Sequence, residues 1–179
     1  MNVGFISLGC SKNLVVTEEV IGLFKKHNFT TVNNEKDADI IVINTCGFIE
    51  SAKQEAIDTI LEMAQYKDGR CKYLIAIGCM VERYEEELRK ALPEVDLFIK
   101  IKDYNKIWTK ISELLKLEIS NECLSWKDRV ITTGNTKAYL KIAEGCSNHC
   151  TYCAIPKIQG QYISRGFEEI IKETKSLSK

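Results

Sequence analysis

The chain has 179 residues, 45% hydrophobic and 28% charged, a globular balance with length for one ordinary domain and part of another. Its formal net charge is zero and its pI about 6.7, which leaves no overall basic footprint for nucleic acid. No apolar run is long enough to span a bilayer, and Met1-Asn2-Val3-Gly4-Phe5 lacks the charged start and apolar stretch of a secretory signal. The eight cysteines therefore read as reduced, cytoplasmic and metal-binding rather than disulfide-bonded.

The first predicted element is a short strand, Val3-Gly4-Phe5-Ile6-Ser7-Leu8, running into Gly9-Cys10. Val16, Val20, Leu23 and Phe24 recur at helical spacing, which predicts a helix over Leu14–His27 with Asn13 as its N-cap. Phe29–Val32 reads as a second short strand and Asn33-Asn34 as a turn. Ile40-Ile41-Val42-Ile43 is an unbroken β-branched run, expected of a strand buried on both faces, and it leads into Asn44-Thr45-Cys46-Gly47. A helix follows with Ala52, Ala56, Ile60 and Met63 on one face, its start marked by the capping-box form of Ser51–Gln54.

Tyr73–Ile77 is the next buried strand and ends in Gly78-Cys79. The helix after it carries Tyr84, Leu88 and Ala91 on one face and must stop before Pro93. Glu85-Glu86-Glu87 reads as a solvated face. Leu97–Ile99 is a last short strand, and Asp103 is a candidate cap for a helix with Ile107, Trp108, Ile111, Leu114 and Leu115 inward. Strands alternating with helices to about residue 117 predict an α/β fold, a flavodoxin-like parallel sheet flanked by helices. Residues 118–136 have no clear period and read as a linker or an extended crossing segment. Lys137–Ala143 alternates like a strand and delivers the next cysteines.

Those are Cys146, Cys150 and Cys153, at C-x3-C-x2-C spacing. Three thiolates this close converge on one metal centre, and soft thiolate selects zinc or iron–sulfur. Structural zinc wants four protein ligands, and His149, next to Cys150, is poorly placed to be the fourth. Cys10, Cys46 and Cys79 form a second constellation. Each closely follows a predicted buried strand, and parallel strands share one carboxyl edge, where ligand sites lie. Gly9, Gly47 and Gly78 beside them permit tight turns. From spacing alone, a second metal site and three buried thiols are both open readings. Cys71 precedes a strand and reads as a small apolar filler. Cys123 reads as an exposed linker thiol, and His27 as a structural residue at a helix end.

With Tyr152 just before the last cysteine, the C-x3-C-x2-C run resembles the radical S-adenosylmethionine motif. Ser7-Leu8-Gly9-Cys10 with Lys12-Asn13, then Asn44-Thr45-Cys46-Gly47-Phe48-Ile49, then Gly78-Cys79-Met80, resemble the amino-terminal domain of the radical S-adenosylmethionine methylthiotransferases. The resemblance covers essentially the whole chain. It implies one 4Fe-4S cluster on Cys146, Cys150 and Cys153 that binds S-adenosyl-L-methionine and cleaves it to a radical. Tyr152 then lies near the adenine. A second 4Fe-4S cluster, on Cys10, Cys46 and Cys79, delivers sulfur. No acid/base pair is implied, so no catalytic side chain is assigned.

Lys12-Asn13 and Gly47-Phe48-Ile49 look most like the branch that methylthiolates the β-carbon of an aspartate in a small-subunit ribosomal protein. The implied partners are that protein and an external electron donor, with no membrane, and with nucleic-acid contact only through further carboxyl-terminal residues. Three positions depart from the family pattern: Ser11 where proline is common, Val16 where an acidic residue is common, and Gln159-Gly160 where Arg-Gly is common. Ser164-Arg165 agrees with it. The expected organisation is 1–117 methylthiotransferase domain, 118–136 linker and 137–179 the first βα unit of a truncated radical partial TIM barrel. Such a fragment is expected not to turn over alone. The rival readings are a transfer-RNA methylthiotransferase, a non-catalytic iron–sulfur electron carrier and a zinc-stabilised ribosome-binding module.

Overall fold

A computed structural model describes residues 1–178. The apolar runs become five parallel strands: β1 (Asn2–Ser7), β2 (Thr30–Val32), β3 (Ile40–Thr45), β4 (Tyr73–Gly78) and β5 (Leu97–Ile99). Their order is β2-β1-β3-β4-β5, the doubly wound order of flavodoxin-like sheets. β3 lies at the centre and is buried along its whole length, as its β-branched run requires. It pairs in register with β1 (Ile43 opposite Ile6) and with β4 (Ile43 opposite Ala76).

Helices cover both faces. On one, α2 (Glu50–Ala64) and α3 (Cys79–Ala91) bury Ala56, Ile60, Met63, Val81 and Leu88 against Ile41, Ile43, Leu74 and Phe98. On the other, α1 (Ser11–Lys26) and α4 (Ile107–Leu115) bury Val20, Phe24, Trp108 and Ile111 against Val3, Ile40, Val42 and Ile75. His27 stacks on Trp108 with ring centroids 3.7 Å apart. Its Nε2 is 3.1 Å from Glu122 Oε1, within ion-pair range but not aligned for a hydrogen bond.

Several local expectations change. α1 starts at Ser11 with Cys10 as N-cap, because Asn13 turns inward and spends its amide on tertiary hydrogen bonds. α2 starts at Glu50, and Ser51 makes no capping bond. A 3₁₀ stretch, Ile101–Lys106, precedes α4, and Asp103 pairs with Lys110 instead of capping. Tyr84 breaks the helical geometry inside α3, and Ala91 is exposed. Glu85 is no free solvated charge but is paired with Arg89 and Lys100.

Lys137–Ala143 forms no extended strand; only β6 (Ala143–Glu144) pairs, antiparallel, with β7 (Ile163–Ser164). Alternation supplies side-chain faces, but a strand needs a neighbour for its backbone, and Tyr139 and Ile142 are exposed. α5 (Ile155–Gln159) and α6 (Phe167–Leu177) complete the described elements.

Residues 118–136 carry no helix or strand, yet part of the segment is tightly docked. Val130 N–H donates to Glu18 O at 3.1 Å. A Cβ on Gly22, in the middle of α1, would collide with the Asp128 carbonyl, so glycine is what lets the segment lie on the helix. Beside it runs a buried chain of charges. Glu18 accepts from Arg129 Nε and Nη2 through Oε2 (2.8 and 2.6 Å) and from Thr132 N and Oγ1 through Oε1 (2.6 and 2.8 Å). Arg129 Nη1 donates to Glu173 Oε1 at 2.9 Å, and Arg165 Nη1 donates to Glu173 Oε2 at 2.5 Å. The side chains of Glu18, Arg129 and Glu173 are at most 2% exposed. The network thus ties α1, the crossing segment and α6 into one body.

Removing one partner of such a network leaves the others charged and buried. Arg129→Met is expected to lower the unfolding free energy by roughly 3–5 kcal/mol, measured by urea denaturation. A loss under about 1 kcal/mol, the value of a surface pair, would show that the carboxylates reach solvent instead.

Candidate metal centres

The sheet's carboxyl edge is built on Asn13. Its Nδ2 donates to Leu8 O (2.9 Å) and to Thr45 O (3.1 Å), joining the ends of β1 and β3. Its carbonyl accepts from Asn44 Nδ2 at 2.8 Å and from Thr17 Oγ1 at 3.0 Å. Thr45 Oγ1 continues the chain to Ile77 O on β4, at 2.7 Å. Asn13, Asn44 and Thr45 are all buried, so these bonds form where water does not compete.

Each strand end then releases a cysteine. Cys10 caps α1, Cys46 follows β3, and Cys79 opens α3. The glycines are needed for contact between loops. Gly9, at φ +87°, lies against Cys46, whose Cβ and Sγ would be 2.7 and 2.9 Å from an added Cβ. Gly47 packs on the Met80 backbone, with Cα 2.7 Å from an added Cβ. Gly78, at φ +102°, packs on Asn44 and the Thr45 backbone. The loops approach one another through the glycines, and Cys46 and Cys10 lie close enough to Cys79 for their charges to act on its thiol. Cys10 is exposed, while Cys46 and Cys79 are half-buried. Burial pushes the Cys79 thiol up to about 11, with Cys46 and Cys10 adding to the shift and a hydrogen bond from Gln159 opposing it.

Cys146, Cys150 and Cys153 occupy the loop between β6 and α5. Cys146 N–H donates to Gly160 O at 3.1 Å, fixing the start of the loop, and within it Cys153 N–H donates to Cys150 O at 3.1 Å in a tight turn. Tyr162 N–H donates to Ser147 Oγ at 3.1 Å. Gly145, at φ +68°, sits where a side chain would strike the Gln161 backbone. Cys150 is exposed, Cys146 and Cys153 are half-buried, and Tyr152 is 88% exposed. Each constellation offers three thiols, a donor set that suits iron–sulfur ligation. Among the described residues, no three His, Cys, Asp or Glu side chains stand in the arrangement of a single-ion site. Cys71 is buried, its Sγ 3.4 Å from Tyr73 O, and Cys123 is exposed, both as the sequence suggested.

α5, which follows the second cysteine loop, packs beside α3, which opens with Cys79. Ile158 is buried where α5 meets α3, and Gln159 Nε2 lies 3.4 Å from Cys79 Sγ. Sequence reasoning missed Asn13, Asn44 and Thr17 as the frame of the site. The available signal was polar residues directly after runs that must be buried.

Residues 2–100 match the model of the family described as Uncharacterized protein family UPF0004. The chain belongs to the UPF0004 family. That match covers the parallel sheet and the cysteines of its carboxyl edge. Similar relatives are named ribosomal protein uS12 methylthiotransferase RimO. The one from Alkaliphilus oremlandii is 67% identical over 180 residues, covering 100% of this chain and 41% of the relative. Those from Clostridium botulinum and Clostridium tetani are each 49% identical, covering 98% of this chain and 41% of the relative. The chain thus spans about two-fifths of the length of these curated relatives.

Asn13→Ala removes the donor to one buried and one part-buried carbonyl and is expected to cost about 2 kcal/mol of stability in urea denaturation. It should also loosen Cys46 and Cys79, seen as faster alkylation of both thiols by mass spectrometry. Unchanged stability and alkylation would mean that the loops are held by their glycine contacts alone.

Proposed function

We propose that these residues form part of a radical S-adenosylmethionine methylthiotransferase that modifies an aspartate β-carbon of ribosomal protein uS12. The observation that carries this reading is that Cys10, Cys46 and Cys79 follow the carboxyl ends of three adjacent parallel strands, β1, β3 and β4, while Gln159 of α5, the helix after the Cys146–Cys153 loop, reaches Cys79. Residues 1–117 act as the methylthiotransferase domain, 118–136 as the link and 137–179 as the start of the radical domain. The relatives' names and the quoted motifs support the same assignment.

Cys10, Cys46 and Cys79 would hold one 4Fe-4S cluster, and Cys146, Cys150 and Cys153 another. With S-adenosyl-L-methionine bound, these groups supply a radical able to break an unactivated C–H bond, which no side-chain base does at neutral pH, together with the sulfur and methyl that replace the hydrogen. The chain's own residues bind, orient and shield. Asn13 and the glycines hold the loops that carry the first three thiols, and Cys79 is half-buried on the side where Gln159 covers it. Gly145 and the Cys146–Gly160 hydrogen bond shape the second loop. Exposed Tyr152 is free to stack on an adenine. An external donor provides electrons, and the setting is the cytoplasm. No helix among the described residues is long and apolar enough to cross a membrane.

Anaerobic iron and sulfide quantitation tests this reading. Reconstituted chain is expected to hold two clusters, with one lost in Cys46→Ala and the other in Cys150→Ala. A single cluster, lost only in Cys150→Ala, would reduce Cys10, Cys46 and Cys79 to ordinary thiols.

A further inference from the structure

Gln159 closes α5, the helix that follows the Cys146–Cys153 loop, yet its side chain belongs to the other constellation. Its Nε2 donates to Cys79 Sγ at 3.4 Å, across 80 residues of sequence. Ile158, 5% exposed, anchors the helix beside α3, and Gly160, at φ +76°, turns the chain away immediately afterwards. Gln159 shares a narrow gap with Lys12, Asn13, Tyr104, Lys141 and Glu144.

Cys79 Sγ has one other side-chain partner among the described residues, Asn13 Oδ1 at 3.7 Å. Asn13 cannot turn its amide to donate there, because Nδ2 is committed to Leu8 O and Thr45 O. A metal-bound sulfur has no proton and only accepts. Among the described residues, Gln159 is then the side-chain donor in reach of it.

We propose that Gln159 is a positioning residue that hydrogen-bonds the Cys79 sulfur of a cluster on Cys10, Cys46 and Cys79, and so ties that cluster's reduction potential to the docking of the other cysteine loop. The inference rests on the assignment of that cluster under Proposed function. Hydrogen bonds to the sulfurs are among the factors that set cluster potentials. An N–H donor stabilises the reduced, more negative cluster more than the oxidised one, and bonds to charged groups are the stronger kind.

The test uses the full chain with Cys150→Ala, reconstituted anaerobically with iron and sulfide, so that only the cluster of interest is present. Iron and sulfide are quantified first; a chain that holds none overturns the cluster assignment and this inference with it. Where the cluster is present, its midpoint potential is followed by electron paramagnetic resonance in a redox titration. Gln159→Leu is expected to lower the reduced-to-oxidised ratio at fixed potential about tenfold, a downward shift of about 59 mV for one electron. Gln159→Arg, which keeps a donor, should remain at or above the parent potential. An unchanged potential in Gln159→Leu, or an equal fall in both variants, would overturn the inference, because loss of packing alone moves both alike.

Discussion

Parallel strands must all end at the same edge of their sheet, and this constraint governs the rest of the molecule. It turns three cysteines scattered over the first half of the chain into neighbours with no local motif joining them. β1, β3 and β4 are adjacent in the sheet, so Cys10, Cys46 and Cys79 leave from adjacent strand ends. Adjacency alone would leave the thiols a strand spacing apart on floppy loops. The Asn13 hydrogen bonds and the close glycine contacts draw the loops inward and hold them there.

The second half of the chain is held by a different force. Little apolar surface joins α6 to the sheet domain; the join is instead an alternating chain of buried carboxylates and guanidinium groups, Glu18, Arg129, Glu173 and Arg165. Such a join is demanding in geometry, since every charge must find its partner or stay unpaired in a poor solvent for ions. That demand suits an interface whose task is to fix orientation. Lys141, placed 2.6 Å from Glu144 and 3.9 Å from Glu19, extends the same pattern toward the cysteine loop.

Much of this was legible in the residues. The runs Ile40–Ile43 and Tyr73–Ile77 could only be buried strands, and their alternation with helical segments gave the sheet. The cysteine positions at the strand ends then followed from topology. What escaped was information held between distant residues. Asn13 looks like a helix cap because capping is local, whereas its real partners are carbonyls that only the folded sheet presents. Glu18 and Arg129 are 111 positions apart, and no periodicity links them. Lys137–Ala143 alternates like a strand but has no neighbour to pair with. Gly22 was the overlooked clue, since a glycine inside a buried helix marks a place where another backbone comes close.

The Gly22 contact also bears on the order of folding. A ribosome makes α1 long before it makes Asp128 and Arg129. Until then the Glu18 carboxylate and the groove over Gly22 face water, where a charge is comfortable. The pairings within the sheet already join residues some distance apart, and the strap closes a longer loop still, 111 positions from Glu18 to Arg129. The groove on α1 is thus written into the chain at Gly22 long before its occupant, and the glycine only acquires its purpose when a backbone from far downstream lies across it.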